Sequence, residues 1–445
     1  MKPFRVTITG RALDGRGIAV YGGRRVFVTQ AWPGEEVVVR PDVVTKSRVD
    51  GRVARLVKAS AERINHDCNH AFHCTGCVYL AVPPPRERAL KHAQLRKTLA
   101  AALDMAESQV PLHDTLAPTP AFAYRHYAKQ IFGISKRGPV LGSYVRGTHR
   151  VVDNSDCPVL VPQLARTFRQ LQKLVAEMGL PVAQDQHLGL RYAVARCSSQ
   201  TGEQLLVLVA NSTDWDAIGR LARRVMDACE AVVGVTALHN PTSGNVLIAG
   251  NEAFHLGQPY ITESLLGVQH RVGPRSFFQI NPPAAETLFA RALDAAGKGC
   301  HCVELFSGVG ALTLPLARRF QRVSALEQAP ESAAILRAAA RDAPNSNIRV
   351  LCADAETGAA HLLQGNPDVV VADPPRRGMG QAVSRAIAAS PSVHRLVILS
   401  CAPKSLERDL PPLFASGFRL RWIQPVEQFP RTSHVETVTC LERQI

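Results

Sequence analysis

The feature that most constrains the fold of this chain is the alternation of short apolar runs with helical patterns from residue 269 to the end. Such alternation predicts parallel β-strands joined by crossover helices, as in a Rossmann-like α/β sheet. Sheets of this class bind ligands at the edge formed by the carboxyl ends of the strands. The residues that follow each predicted strand are therefore candidates for a functional site.

The first predicted strand ends in a glycine turn, within CVELFSGVGALTLPLA. Gly308 and Gly310 allow the backbone to approach a ligand closely. The next strand ends at Glu327, where a carboxylate can accept hydrogen bonds from both hydroxyls of a ribose. Asp354 ends a third strand and is interpreted either as an adenine contact or as a plain turn aspartate. Because the chain has neither a dinucleotide fingerprint nor a P-loop, S-adenosylmethionine is the adenosine ligand that fits best.

The fourth predicted strand ends in VVVADPPRRGMG, where Asp373 opens a rigid acidic turn. Methyltransferases that act on exocyclic amines commonly have an aromatic residue after the two prolines. Enzymes that make 5-methylcytosine in RNA typically have a cysteine in this turn. This chain has Arg376 after the prolines and no cysteine there, so the turn favours methylation of a uracil carbon.

A further predicted strand, RLVILS, is followed directly by Cys401. The C5 carbon of uracil is a poor nucleophile, but addition of a thiolate to C6 turns the C4–C5 region into an enolate that can attack a methyl group. The thiolate is the reactive form, so we expect a basic site that lowers the pKa of Cys401. Lys404 and Arg408 follow closely in the sequence and are the expected cations.

This chemistry also needs a base that removes the C5 proton after methylation. The stretch FPRTSHVETV offers Glu436, in a strand-like run after a proline turn. His434 is the competing base, because alternate residues of a strand share one face. The sequence leaves both open.

A second candidate site is a cluster of cysteines with the spacing C-x5-C-x2-C, formed by Cys68, Cys74 and Cys77. Cys157, in SDCPVL, is the candidate fourth ligand, since a cysteine followed by proline is common at iron–sulfur sites. Zinc is the alternative because imidazoles lie among these cysteines, at His66, His70 and His73. We expect the six other cysteines apart from Cys401 to be small core residues.

The first 60 residues contain five short β-like runs separated by turns, which predicts a small barrel of the OB type. They carry 12 Lys and Arg against 5 Asp and Glu, a charge of +7 within the +15 of the whole chain. Such charge suggests a nucleic-acid partner, with a plain structural barrel as the alternative. Residues 121–265 have no nucleotide signature but include YRHYAKQIFGIS, where aromatic and basic residues interleave.

The sequence does not suggest a secreted or membrane protein. The segment MKPFRVTITG lacks the apolar core of a signal peptide. No apolar run approaches the roughly 20 residues of a membrane span. We therefore expect a cytoplasmic protein.

Together these motifs resemble the RNA uracil-C5 methyltransferases of the TRAM-domain, iron–sulfur-containing type, which modify bacterial 23S rRNA. The resemblance runs nearly end to end and includes the barrel, the cysteine spacing, SFFQIN, ELFSGVG, DPPR, SC-x-P and HVE. It implies an α/β multidomain protein with three parts: an OB-like TRAM barrel (1–60), a central α+β domain with the cysteine cluster (61–268) and a Rossmann-like class I methyltransferase domain (269–445).

The resemblance also implies roles for individual residues. Cys401 would be the nucleophile and Glu436 the base, while Phe277 would stack on the flipped-out base. Four residues would contact S-adenosylmethionine: Gln279, Phe306, Glu327 and Asp373. Four cysteines would hold a [4Fe-4S] cluster: Cys68, Cys74, Cys77 and Cys157.

The implied partner is 23S rRNA. The protein is expected to be a monomer that binds neither DNA nor a membrane. A tRNA target is less favoured because the tRNA-modifying branch lacks the cysteine cluster and the barrel. The alternatives are a tRNA uracil-C5 methyltransferase with an added barrel, or a non-catalytic RNA-binding or assembly factor that retains the fold. Two departures concern positioning and cofactor affinity: Ala402 replaces the usual asparagine after the cysteine, and Ala311 replaces an often polar residue.

Overall fold

The computed structural model describes residues 1–443 other than 13, 67, 72, 75, 146–147, 184–187, 212–213, 243–249 and 344–346. Its strands form three large sheets and one hairpin, and each large sheet has its own apolar core. Among the described residues, no helix is both long and apolar enough to cross a bilayer.

The N-terminal sheet contains six strands in the order β1-β5-β6-β4-β3-β2. The strands are β1 (Phe4–Thr7), β2 (Gly10–Arg11), β3 (Gly17–Tyr21), β4 (Arg24–Thr29), β5 (Glu36–Val44) and β6 (Arg48–Lys58). All five predicted runs contain a strand, and the two-residue β2 is additional. Alternate apolar side chains point into a core that includes Val6, Val26, Val37 and Val49.

This sheet must curl strongly. Its two edge strands, β1 and β2, are separated by only two residues of chain, which span about 10 Å at most. In a flat sheet of six strands the edges would lie roughly 24 Å apart, since neighbouring strands are about 4.8 Å apart. The connection therefore requires a barrel-like curvature, while the OB-type assignment stays a prediction.

Residues 59–83, which carry three of the clustered cysteines, contain no helix or strand in their described part. The chain then forms α1 (Pro84–Leu103), which begins with proline at its first helical positions, where no N–H partner is needed. A short 3-10 turn (Glu107–Gln109) follows. Leu95, Leu99 and Ala100 of α1 pack into a core shared with the C-terminal sheet. In sequence, α1 thus precedes the predicted boundary at residue 268, but it packs against the domain that follows this boundary. The domain boundaries themselves stay a prediction.

The central sheet is mixed and has helices on one face. Its elements are β7 (Tyr127–Ser135), β8 (Gly138–Tyr144), β9 (Val151–Asp153), α2 (Pro162–Glu177), β10 (Leu190–Cys197), β11 (Gln204–Ala210), α3 (Trp215–Ala228), β12 (Val232–His239) and β13 (Asn251–Gly257). The strand order is β13-β12-β11-β10-β7-β8-β9. The apolar stripes of α2 and α3 cover the face that includes Phe132, Ala193 and Leu208. The α+β composition predicted for this region is present.

The hairpin β14 (Ile261–Leu265) and β15 (Val268–Val272) precedes the C-terminal sheet and packs on its core. The following elements are α4 (Pro282–Ala296), β16 (Gly299–Leu305), α5 (Thr313–Ala317), β17 (Phe320–Glu327), α6 (Pro330–Asp342), β18 (Ile348–Cys352), α7 (Ala355–Leu363), β19 (Val369–Ala372), α8 (Gln381–Ala389), β20 (Arg395–Ser400), a 3-10 turn (Pro403–Ser405), α9 (Leu406–Asp409), α10 (Pro411–Ala415), β21 (Phe418–Val426) and β22 (Glu436–Arg443).

The strand order of this sheet is β18-β17-β16-β19-β20-β22-β21. Neighbours from β18 to β20 are parallel, whereas β22 runs antiparallel to both β20 and β21. Helices cover both faces, with α4 on one and α7 and α8 on the other. This is the Rossmann-like methyltransferase architecture predicted for the C-terminal part.

Candidate active site

The strand order reverses at β16, which lies between β17 and β19, and the glycine turn follows β16 directly. Phe306, Gly308 and Gly310 in this turn all have positive φ, at 64°, 57° and 95°. A Cβ on Gly308 would meet nothing within 4 Å, whereas a Cβ on Gly310 would lie 2.4 Å from Cδ1 of Leu336. Gly308 therefore leaves space open beside the turn, and Gly310 permits the packing of α6 under it.

Glu327 is fixed at the end of β17 by the backbone around it. One carboxylate oxygen accepts a hydrogen bond from the Gly308 N–H at 2.8 Å, and the other accepts from the Ala329 N–H at 2.7 Å. Each oxygen retains a further lone pair for a ligand hydroxyl. The structure thus joins two predicted residues, Gly308 and Glu327, at one edge of the sheet.

Asp354 is the N-cap of α7. Its Oδ1 accepts hydrogen bonds from the backbone N–H groups of Glu356 and Thr357 at 2.9 and 3.1 Å, and its Oδ2 accepts from the Thr357 hydroxyl. The Thr357 hydrogen bonds hold the pKa of this exposed carboxyl below its ordinary value. Capping alone explains an aspartate at this position.

Further carboxyls lie beneath the glycine turn. Burial raises the pKa of Glu304 to about 8, aided by Asp373 and Glu327, and Glu304 Oε2 has no hydrogen-bond partner among the described residues. Asp373 is half-buried, and desolvation raises its pKa to about 7. An unpartnered buried carboxyl oxygen among neighbouring acids fits a ligand with cationic groups and hydroxyls, and S-adenosylmethionine has both. Sequence reasoning missed Glu304, although it belongs to the ELFSGVG motif.

The loop between β15 and α4 carries Gln279 and Phe277. Gln279 Oε1 accepts a hydrogen bond from Gln428 Nε2 at 3.2 Å, and Oε1 of Gln428 has no partner in the described part of the chain. Phe277 is 73% exposed, while Phe278 beside it is buried. Apart from the resemblance, the sequence SFFQIN predicts that both Phe277 and Gln279 are core residues at the end of a strand. The structure contradicts that interpretation for Phe277, since its ring is free to contact a ligand.

Cys401 and Glu436 become neighbours through the pairing of β20 with β22. Ser400 is directly opposite Thr437 in this antiparallel ladder, so the residue after Ser400 meets the residue before Thr437. Burial raises the pKa of Glu436 to about 8, and Asp373 adds to the effect while Arg376 opposes it. The thiol, the carboxyl and the DPPR turn therefore share one electrostatic environment.

Cys401 lines a cavity of about 300 Å³ together with Arg376, Lys404 and His434. The opposite wall is provided by the segment before α1 and by α1 itself, including Tyr79, Lys91 and Thr98. A chain segment far from the methyltransferase sheet in sequence thus closes the candidate site.

The expectation of a strongly basic site that lowers the pKa of Cys401 is wrong. Burial raises the pKa of this thiol and Glu436 raises it further, while Arg376 opposes them. Lys404 lines the cavity, but Arg408 points elsewhere and donates a hydrogen bond from Nη2 to the carbonyl of Arg377 at 2.8 Å. Arg376 was noted in the sequence only as a departure from an aromatic residue, so its role beside the thiol was missed.

His434 lies outside the strand that carries Glu436, since β22 begins at Glu436. The expectation that the two share a strand face therefore does not hold. The His434 ring packs edge-to-face on Phe429, and burial, Arg376 and Lys91 lower its pKa. It still lines the Cys401 cavity, so both candidate bases are near the thiol.

The loop that leads into Glu436, residues 427–435, is held by a buried ionic network. Lys91 Nζ contacts Glu87 at 2.8 Å and Glu427 at 2.6 Å. Arg431, with φ at 69°, donates from its backbone N–H to Glu87 at 2.6 Å and from Nη1 to the Val82 carbonyl at 2.8 Å. Removing one partner of such a network leaves a buried charge uncompensated, so the loop has one strongly preferred position.

The four clustered cysteines line one narrow pocket, although Cys157 is 80 residues from Cys77. Cys74 Sγ accepts hydrogen bonds from the Gly76 N–H at 3.4 Å and from Asn154 Nδ2 at 3.6 Å. Burial raises the pKa of Cys157 to about 11 and also raises that of Cys68 and Cys77. Proton release would therefore accompany binding of a cation by these thiols.

The side chains of this pocket are of the right chemical type for a metal centre, but their positions do not form one. Within the described ranges, no three His, Cys, Asp or Glu side chains are close enough together to hold a metal ion. The accessible volume between the thiols is about 10 Å³, roughly that of one water molecule. The donor set suits a cluster, but the loop bearing Cys68, Cys74 and Cys77 would have to move outward. Of the three histidines considered as zinc ligands, His70 forms a hydrogen bond with Asp156.

The raised pKa of Glu436 gives a prediction for stability. A carboxyl whose folded pKa is about 8, against 4.5 unfolded, contributes stability that is fully present below pH 4.5 and is lost as pH rises towards 8. The free energy of unfolding of Glu436→Gln should therefore rise relative to that of the wild type as pH increases, by at most about 1.4 kcal/mol per pH unit. Urea unfolding at pH 5.5 and 8 measures this, and a difference independent of pH would contradict it.

The chain is similar to known RNA methyltransferases. Residues 246–444 match the family model described as tRNA (Uracil-5-)-methyltransferase. An uncharacterised RNA methyltransferase of Gloeobacter violaceus is 34% identical over 445 residues, covering 98% of this chain and 96% of that protein. A second, from Thermosynechococcus vestitus, is 32% identical over 96% of this chain and 95% of its own length.

Among solved structures, the tRNA (uracil-54, C5)-methyltransferase of Pyrococcus abyssi, in complex with S-adenosyl-L-homocysteine, has the same fold. The TM-score is 0.76 at 22% identity, over 98% of this chain and 99% of that one. A protein named for a tRNA substrate thus shares the architecture throughout its length. From its full-length relatives and its matched model, this chain belongs to the S-adenosylmethionine-dependent RNA (uracil-5-)-methyltransferase family.

Proposed function

We propose that the protein methylates C5 of a uridine through a covalent bond between Cys401 and C6 of the base. The observation that carries the proposal is the pairing of β20 with β22, which places the thiol beside the carboxyl of Glu436 at the ligand-binding edge of the sheet. Neither group alone suffices, because the reaction needs both a nucleophile and a base.

The steps follow from this pair. The thiolate of Cys401 forms the S–C6 bond, and the electron pair of the C5–C6 double bond moves towards C4 and its oxygen. S-adenosylmethionine, when bound, supplies the methyl group as an electrophile. The enolate carbon C5 takes that methyl group, while the bond from the methyl group to the donor sulfur breaks and S-adenosyl-L-homocysteine leaves. Glu436 then removes the C5 proton, the C5–C6 double bond re-forms, and the S–C6 bond breaks to return the thiolate.

Residues at the carboxyl edge of β16, β17 and β19 would hold the cofactor. Glu327 would bind the ribose hydroxyls, because its two oxygens are already aimed by the backbone of Gly308 and Ala329. Glu304 and Asp373 would face the cationic part of the ligand. Gln279, Phe306 and Gly310 would complete the site, with Asp354 near the adenine.

Arg376 would assist Cys401. Its charge opposes the raised pKa of both the thiol and Glu436. As a guanidinium it also donates hydrogen bonds, so it can stabilise negative charge that develops on the uracil oxygen.

Phe277 would stack on the uridine once that nucleotide leaves its helix. Chemistry at C5 and C6 needs access to the ring, so the base must be extruded. With its ring 73% exposed, Phe277 is available for stacking.

Replacing Phe277 with alanine should reduce kcat/KM for folded RNA by the value of one lost stack, about 1–3 kcal/mol. Because the ring is exposed, the fold should tolerate the change, and thermal unfolding checks this. The variant Phe277→Tyr keeps the ring and should retain the rate. Unchanged kinetics for Phe277→Ala would remove Phe277 from the RNA site.

For the cysteine pocket we propose a [4Fe-4S] cluster held by Cys68, Cys74, Cys77 and Cys157, with zinc as the competing occupant. The support is that four thiols from two separate segments line one pocket and that N–H groups donate to Cys74. Hydrogen bonds to sulfur are characteristic of such clusters.

Protein purified without oxygen should contain about four iron and four sulfide per chain and should be brown. The variant Cys157→Ala should lose most of both, since one ligand is missing, while Cys229→Ala serves as the control because Cys229 lies outside the pocket. Colourless protein with one zinc per chain and no iron would reverse the assignment.

For the RNA we propose 23S rRNA, supported by the cysteine spacing and the basic N-terminal strands. A tRNA target is the second candidate, favoured by the full-length match to the Pyrococcus abyssi structure. Transfer of radiolabelled methyl groups from S-adenosylmethionine to purified 23S rRNA and tRNA tests both. Mapping of 5-methyluridine by mass spectrometry in RNA from a deletion strain then identifies the nucleotide. Label in neither RNA would refute the proposal.

A further inference from the structure

One face of the central sheet carries basic side chains around Tyr127. In the pairing of β7 with β10, Tyr127 is directly opposite Arg196, whose guanidinium carbon is 4.5 Å from the centre of the tyrosine ring. Lys129 Nζ is 5.7 Å from the same ring, and Arg125 Nε donates to the Tyr127 carbonyl at 3.0 Å. We call these four residues the Tyr127 patch. Tyr127, Lys129 and Arg196 lie on the face away from α2 and α3. Arg125, Tyr127 and Lys129 belong to the stretch YRHYAKQIFGIS.

The positive charge of the Tyr127 patch has no matching carboxylate. Among the described residues, none of its three cations forms a salt bridge, and Nε of Arg196 has no hydrogen-bond partner although the residue is 5% exposed. Burial lowers the pKa of Lys129, and Arg125 and Arg196 lower it further. Glu263, the acid that acts on Arg196, is buried and accepts two hydrogen bonds from Ser199 at 2.8 Å.

The patch is joined to the loop that carries Phe277. Arg196 Nη2 donates to the carbonyl of Ser276 at 3.0 Å, immediately before Phe277. At the other end of the same loop, the His126 N–H donates to the Ile280 carbonyl at 2.8 Å. The cations of the Tyr127 patch therefore lie next to the loop that carries the exposed ring of Phe277.

We propose that the Tyr127 patch, through its exposed cation Lys129, binds a phosphate of the RNA strand adjacent to the uridine that enters the active site. The inference rests on the proposed function, in which the substrate is RNA. Mutually repelling cations without carboxylate partners gain most from a polyanion, because each contact releases counterions. A flipped nucleotide also needs its flanking backbone held, since flipping costs unstacking energy.

Lys129 is exposed and can be changed without disturbing the core. The variant Lys129→Gln should weaken binding of a substrate RNA by roughly tenfold at 50 mM salt and by little at 1 M, because about one phosphate contact is lost. The slope of log Kd against log salt should fall by about 0.7, the value for a single-stranded contact. Lys129→Glu should weaken binding further.

Lys173→Gln is the matched control, since Lys173 is exposed on α2, on the other face of the sheet. It should leave the slope as in the wild type. Equal slopes for Lys129→Gln and Lys173→Gln would overturn the inference. A wild type that forms no 5-methyluridine would contradict the proposed function, while a reduced slope for Lys129→Gln would still support the phosphate contact.

Discussion

Cys401→Ala should transfer no methyl group to RNA and should form no bond to it. Without the thiol, C6 has no nucleophile, and C5 remains too electron-poor to attack the methyl donor. The loss should therefore exceed that expected for a positioning residue and leave activity at background. Radiolabel transfer from S-adenosylmethionine measures the rate, and denaturing electrophoresis with labelled RNA detects the covalent complex.

The control for this variant is cofactor and RNA binding. Cys401 follows β20 and is half-buried, so its replacement by alanine should leave the sheet intact and both dissociation constants close to the wild-type values. Production of 5-methyluridine by Cys401→Ala would show that the covalent mechanism is wrong.

Glu436→Gln should fail at a later step, because the carboxyl acts only on the C5 proton. The thiol should still add to C6 and the methyl group should still be transferred. The product would then stay bound to Cys401, since the double bond cannot re-form while C5 retains its proton. A protein–RNA adduct that survives denaturation should accumulate to about one per active site and should require S-adenosylmethionine to become long-lived.

His434→Gln is the matched control for the choice of base, since His434 lines the same cavity. If Glu436 is the base, His434→Gln should turn over without accumulating the methylated adduct. Normal turnover by Glu436→Gln, with adduct accumulation in His434→Gln, would assign the base to the histidine.

Much of the candidate site could be predicted from the sequence because it depends on local patterns and one topological rule. Each apolar run of a parallel sheet ends at the same edge, so Gly308, Glu327, Asp373 and Cys401 were expected there together. The structure places them at that edge. The five N-terminal strands were likewise marked by short runs and turns that need no distant partner.

What the sequence could not provide is burial and register between distant segments. Cys401 meets Glu436 because the last strand inserts antiparallel between β20 and β21, a choice made by long-range pairing. The pKa of the thiol is raised because the fold buries it beside Glu436, and this outweighs the opposing effect of Arg376. The sequence indicated which side chains are candidates for the chemistry. The tertiary structure decided which of these side chains lie in contact. Their contacts and their burial arise only when α1, the segment 59–83 and the last two strands pack together.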